Sequence, residues 1–91
     1  MPLTDKVTFT VQLQNQNRFQ IPKKIRWQYK LEPSQLMKVT LSISDLGFDE
    51  SFLGNMLPDG RVTVSRIVII QLLQRIPALK ASFIEVALEP V

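Results

Sequence analysis

Arg18-Phe19-Gln20-Ile21-Pro22-Lys23-Lys24-Ile25-Arg26 returns 43 residues later as Arg61-Val62-Thr63-Val64-Ser65-Arg66-Ile67-Val68-Ile69. Each stretch is an arginine, a short β-prone run, a helix-starting residue, a base and a helix. Each continues through a proline, Pro33 or Pro77, into an alternating strand. The 91 residues therefore read as one small module written twice. A unit of that length is near the lower limit for folding alone, roughly 40 residues without staples. Two copies that share a core escape the limit.

Working outward, Val7–Leu13 alternates strictly, which predicts a strand with Val7, Phe9, Val11 and Leu13 on its buried side. Gln14–Asn17 is a polar turn, and Arg18–Ile21 a second short strand expected to form a hairpin with the first. Pro22 suits a first helical turn, where its missing N–H costs nothing. The helix is expected over 23–30 with Ile25 and Tyr29 on one face, followed by a turn around Pro33 and a strand at Leu36–Ile43. The second copy reads as a weaker strand near 51–57, interrupted by Gly54, then a Pro58-Asp59-Gly60 turn and a strand at Arg61–Val64. Ser65 stands as N-cap to a helix from Arg66 to about Arg75, and Ala81–Leu88 is the last strand. This gives one domain over 1–91, with repeat one at about 7–43, a linker at 44–49 and repeat two at about 50–88. Both repeats read strand, strand, helix, strand. Two such units closing into a small barrel bury both apolar faces and leave few edges.

The composition removes whole classes of chemistry. There is no cysteine and no histidine, which excludes disulfides, thiol catalysis, the usual zinc sites and histidine as a general base. No phosphate-cradling glycine loop is present, since Gly47, Gly54 and Gly60 are scattered. No cofactor, metal or small-molecule substrate is expected, nor catalysis. Asp45, Asp49, Glu50 and Asp59 read as turn and solubility residues. The chain does not start like a signal peptide, and its longest apolar run, Ile67–Ile70, is far too short to span a bilayer. The expected place is the cytoplasm.

The net charge of +3 is unevenly placed. Residues 1–45 hold seven bases and three acids; residues 46–91 hold four bases and five acids. Arg18, Lys23, Lys24, Arg26 and Lys30 put five bases into thirteen residues without an acid. A helical first turn disfavours bases, so Lys23 and Lys24 point to an anionic partner such as phosphate, against the plainer alternative of a solvated face. The only Trp and Tyr lie on the same helix. Tyr29 belongs with Ile25 in the core. Trp27 falls off that face, where it can stack on a base or sugar, anchor a protein contact or pack on the sister repeat.

The second helix, from Ile67 to Ile76, is apolar nearly all round, although its β-branched run also fits a buried strand. In so small a protein it needs cover on both sides. Ile67, Ile69, Ile70 and Leu73 are the expected contacts with a second copy.

The order hairpin, Ile-Pro, basic helix, proline turn and strand resembles the AbrB/SpoVT family of swapped-hairpin DNA-binding domains. Arg18, Ile21, Pro22, Ile25 and Arg26 fill the family pattern in the first copy, and Gly60, Arg61 and Val64 fill part of it in the second. Asn17 stands where a glycine is usual, Lys30 replaces the glycine after the helix, and Ser34-Gln35 replaces Gly-Asp. The second copy has Ser65 for the proline and Ile69 for the helical arginine. The resemblance implies a mainly β, α+β fold: a swapped-hairpin barrel made by tandem repeats, as in MraZ-like members. It implies a transcriptional regulator or chromatin-associated factor that binds double-stranded DNA as a homo-oligomer, nucleoid-associated. Arg18, Lys23, Lys24, Arg26 and Lys30 would hold the nucleic acid, with Arg18 and Arg26 reaching base edges. A protein-interaction scaffold that has lost DNA binding is the alternative. An antitoxin is a third reading, opposed by the short stretch after the last strand.

Overall fold

The computed structural model describes residues 6–77 and 82–91, with Asn15 described by its backbone alone. The elements in chain order are β1 (Val7–Gln12), β2 (Arg18–Gln20), α1 (Lys23–Gln28), β3 (Leu36–Ile43), β4 (Phe48–Asn55), β5 (Arg61–Thr63), α2 (Arg66–Arg75) and β6 (Phe83–Pro90). Short 3-10 turns occupy Asn15–Asn17 and Ser44–Leu46. The fold is mainly β with two short helices, and each half runs strand, strand, helix, strand. No helix among the described residues is long and apolar enough to cross a membrane.

The strand pairing crosses between the halves. One antiparallel sheet has the order β1-β6-β3-β4, and β2 pairs with β5 in a separate two-stranded ribbon. The expected hairpin of the first two strands reduces to a single bridge, Gln14 to Arg18. β1 spends its length on β6, from Val7 opposite Leu88 to Gln12 opposite Phe83. The polar turn reverses the chain, but the apolar faces of β1 and β2 go to different ladders. The six strands do not form one continuous ladder among the described residues.

Exchanging the halves leaves this scheme unchanged. β1 on β6 corresponds to β4 on β3, while β3–β6 and β2–β5 each correspond to themselves. At the centre of the ribbon Phe19 faces Val62. Loop hydrogen bonds obey the same exchange. The Ile21 N–H donates to the Gly60 carbonyl at 3.0 Å and the Val64 N–H to the Asn17 carbonyl at 2.9 Å. The Gln14 N–H donates to the Arg18 carbonyl at 2.7 Å and the Leu57 N–H to the Arg61 carbonyl at 2.8 Å. Asn17 and Gly60 occupy equivalent left-handed positions, φ 56° and 87°, which Asn and Gly tolerate. Pro22 and Ser65 hold the same angles before their helices, φ −55° and ψ 137°. Serine can replace proline there because the backbone needs only that φ. The Ser65 side chain makes no cap bond.

Several boundaries move from their sequence expectation. β4 begins at Phe48, inside the expected linker. Gly47, at φ 64°, ends the Ser44–Leu46 turn, and the chain pairs back at once with Ile43 opposite Phe48. The acids Asp49 and Glu50, read as loop, therefore lie in a strand. α1 stops at Gln28 rather than at residue 30. Lys30 takes the left-handed C′ position at φ 51°. The Leu31 N–H bonds the Arg26 carbonyl at 3.0 Å and the Lys30 N–H bonds that of Trp27 at 3.3 Å, a Schellman ending. The last strand is Phe83–Pro90, and the part expected at residue 81 lies outside the described residues.

All of the ladders feed one core. Phe19, Ile21, Met37, Val39, Leu41, Val62, Leu72, Ile84, Val86 and Leu88 are sealed from solvent, and Ile25 and Tyr29 pack against them. Phe9 meets the Phe19 ring at 6.2 Å between centroids. Phe19→Ala is expected to cost about 3–5 kcal/mol, a large share of the roughly 5–15 kcal/mol typical of a domain. Leu53→Ala, on a side chain 60% exposed, is expected to change stability by less than about 0.5 kcal/mol. Urea unfolding checks both. Equal costs would show that the ribbon is not part of the core.

Candidate nucleic-acid interface

The β2–β5 ribbon turns Phe19 and Val62 inward, and the strand period of two therefore sets Arg18, Gln20, Arg61 and Thr63 on its other face. Arg18 lies opposite Thr63, and its Nε donates to Thr63 Oγ1 at 3.2 Å. Arg61 lies opposite Gln20, and its Nε donates to Gln20 Oε1 at 3.4 Å. Two arginines are thus held on one ribbon at positions exchanged by the internal two-fold relation.

Their electrostatics differ. Asp59 accepts the Arg61 backbone N–H at 3.1 Å through Oδ1, and Oδ2 lies 3.6 Å from Arg61 Nε. The Asp59 carbonyl also accepts from Gln20 Nε2 at 3.0 Å. The position equivalent to Asp59 in the first half is Gln16. Among the described residues, Asp59 partly neutralises Arg61 and no acid engages Arg18. Sequence reasoning omitted Arg61 from the candidate site, although the 43-residue offset that pairs it with Arg18 was the available signal.

On α1, Lys23, Lys24 and Trp27 are exposed, and Lys30 is exposed just past its end. The Lys23 Nζ sits over the Trp27 ring, 4.5 Å from its centroid, a cation–π contact. Among the described residues none of these lysines pairs with an acid.

Arg26, expected to reach base edges, is placed differently. Its guanidinium lies on the face of Gly60, where a built Cβ would fall well inside contact distance of Nη1, Cζ and Nε. Its Nε is buried without a hydrogen-bond partner among the described residues. Half-buried, Arg26 packs α1 against the turn that precedes β5. Gly60 is the residue that permits both this approach and the positive φ.

α2 divides sharply. Val68, Ile69 and Leu72 are buried, while Ile67, Ile70 and Leu73 are 69%, 49% and 46% exposed. Ile69, expected at a contact between copies, is therefore a core residue, 5% exposed. The 43-residue offset makes Ile69 the counterpart of Arg26, and sets Ile67 and Ile70 in the places of Lys24 and Trp27. These two surface positions of the module are thus built twice, once as a base and an aromatic, once as aliphatics. No group of His, Cys, Asp or Glu among the described residues could hold a metal ion.

No protein-family model matches the chain, and no curated protein does. Among solved structures it is similar to the solution structure of PHS018 from Pyrococcus horikoshii. The TM-score is 0.72 at 20% identity, covering 99% of this chain and 94% of that one. At that identity the likeness is one of fold alone.

The packing of Arg26 on Gly60 predicts a non-additive pair. Gly60→Ala is expected to lose roughly 1–2 kcal/mol to left-handed strain and to push the flexible guanidinium away. Arg26→Ala is then expected to destabilise the wild type through weaker packing but to add little in the Gly60→Ala background. Urea unfolding of the four proteins measures the coupling. Strict additivity would mean that the two residues act independently.

Proposed function

We propose that this chain binds double-stranded DNA through the face formed by the β2–β5 ribbon and α1, as an AbrB-like regulator or chromatin-associated factor. The observation that carries the reading is a set of exposed lysines on α1, unpaired with acid among the described residues, together with Arg18 on the ribbon. Lys23 and Lys24 stand in the first turn of the helix, beside its positive pole and with no acid there to partner them. Phosphate supplies that partner along a whole strand. A two-stranded ribbon also fits a major groove. Arg18 and Arg61 lie nearest the bases in this arrangement, and Arg26 holds α1 in place behind them. The exchanged pairing of β1 with β6 and of β4 with β3 supports a swapped-hairpin barrel as the scaffold.

Fluorescence anisotropy with labelled duplex tests this. Replacing Lys23 and Lys24 with alanine is expected to weaken binding to every sequence. The log–log salt slope should flatten by about 0.9 for each phosphate that is no longer neutralised. Arg18→Ala is expected to cost more than Arg61→Ala, since Asp59 already engages Arg61. Absence of duplex binding at about 50 mM salt would overturn the proposal.

The exposed row Ile67, Ile70 and Leu73 favours a second element of the reading: a second copy of the chain covers α2. Burying a large aliphatic side chain is worth about 1.5–3 kcal/mol, and leaving three exposed on one helix invites association. Sedimentation is expected to show a dimer or larger assembly that Ile70→Glu reduces to a folded monomer. A wild type that stays monomeric at high concentration would sink this element and leave the DNA reading standing.

A further inference from the structure

We propose that the strand held by α1 presents an unpaired base, stacked on the open face of the Trp27 ring, while Lys23, Lys24 and Lys30 hold its phosphates. The inference rests on the nucleic-acid reading above and specifies the state of the nucleic acid that α1 accepts.

Trp27 is 69% exposed, among the most exposed of the large apolar side chains. An indole left in water forgoes the apolar contact that makes the residue useful. It is also mounted firmly. The Schellman ending fixes the chain just after it, and the preceding residue, Arg26, packs on Gly60. The Lys23 ammonium lies over one side of the ring at 4.5 Å. With one side occupied by a cation and the indole still largely in solvent, the other side is a platform for a flat, polarisable group. Nucleobases are such groups, and they stack on aromatic side chains without regard to sequence.

The surroundings choose between kinds of occupant. Lysine is depleted at protein–protein contacts, yet Trp27 stands among three exposed lysines. That favours a polyanion. Inside a perfect duplex both faces of each base are already covered by its neighbours, so the ring has nothing to stack on. A single-stranded segment, or a duplex opened at a gap, offers a bare base together with its phosphates.

Trp27 is the only tryptophan in the chain, so its emission reports this contact alone. The intact protein is titrated with a mixed-sequence single strand of about 16 nucleotides, its perfect duplex, and the same duplex carrying a central gap. Affinity is read by anisotropy and stacking by Trp27 quenching. Single-stranded and gapped DNA are expected to quench the emission, and the perfect duplex to leave it nearly unchanged. Trp27→Ala is expected to weaken single-strand binding roughly 5- to 150-fold, and Trp27→Phe to retain most of the affinity. Both changes are expected to lower duplex affinity far less than single-strand affinity and to leave the melting temperature unchanged. If single strands bind without quenching, or bind Trp27→Ala as tightly as the wild type, the stacking proposal is overturned. Duplex binding would then still support the broader reading. If no DNA binds at about 50 mM salt, both fall together.

Discussion

Neither half of this protein can pair its own strands along their length. β1 needs β6, β4 needs β3, and the ribbon exists only where Phe19 of one half faces Val62 of the other. The reciprocal bonds from Ile21 to Gly60 and from Val64 to Asn17 lock each helix entry onto the opposite turn. This mutual dependence is the constraint beneath everything else. Roughly 40 residues cannot bury enough surface alone, and here the ladders leave no alternative to burying it jointly. The ladders also join residues distant in sequence, such as Val7 with Leu88, so loop-closure entropy must be overcome before any core forms.

A scaffold fixed from both sides frees its outer positions to diverge. The counterparts Arg26 and Ile69 show how far this has gone. Ile69 fills the core, whereas Arg26 lies across Gly60 with its Nε enclosed. The outward positions that carry Lys24 and Trp27 in the first half carry Ile67 and Ile70 in the second. Both sets are largely in solvent. Two equivalent backbones therefore present one face suited to a polyanion and another suited to an apolar surface. Asp59, engaged with Arg61 where the first half has Gln16, adds the same asymmetry on the ribbon.

Much of the fold was legible in the sequence where period and position agree. Strict alternation marked β1 and β3, and the offset from Arg18 to Arg61 marked both helix starts. Partner choice was not legible. A polar turn at 14–17 reads as a hairpin whether or not the flanking strands pair, and nothing local distinguishes β6 from β2 as the neighbour of β1. The start of β4 was hidden because Asp49 and Glu50 have low strand propensity, and pairing with β3 overrides it. At the candidate site the exposed lysines were readable from charge alone. The burial of Ile69 and the packing of Arg26 were not. A helix apolar all round does not declare its inner side, and a glycine 34 residues away is what receives the guanidinium.

A difference in helix length between the halves shows why the symmetry survives divergence. Arg18 and Arg61 are 43 residues apart, whereas the closing strands, starting at Leu36 and Phe83, are 47 apart. The connectors at 29–35 and 76–82 are equal, so the four extra residues all lie in α2, which has ten residues against six in α1. Four residues are close to one turn, about 3.6. The chain therefore leaves α2 roughly one turn further along but on nearly the same side, and β6 enters its ladders in the register that β3 holds in the other half. An insertion of two would have ended the helix on its opposite side. The tolerated change is the one that preserves helical phase. The longer α2 carries Leu73 and Arg75 within the helix, whereas the corresponding stretch after α1 has already turned at Lys30. The apolar row on the second half is in this way extended while the pairings between the halves keep their register.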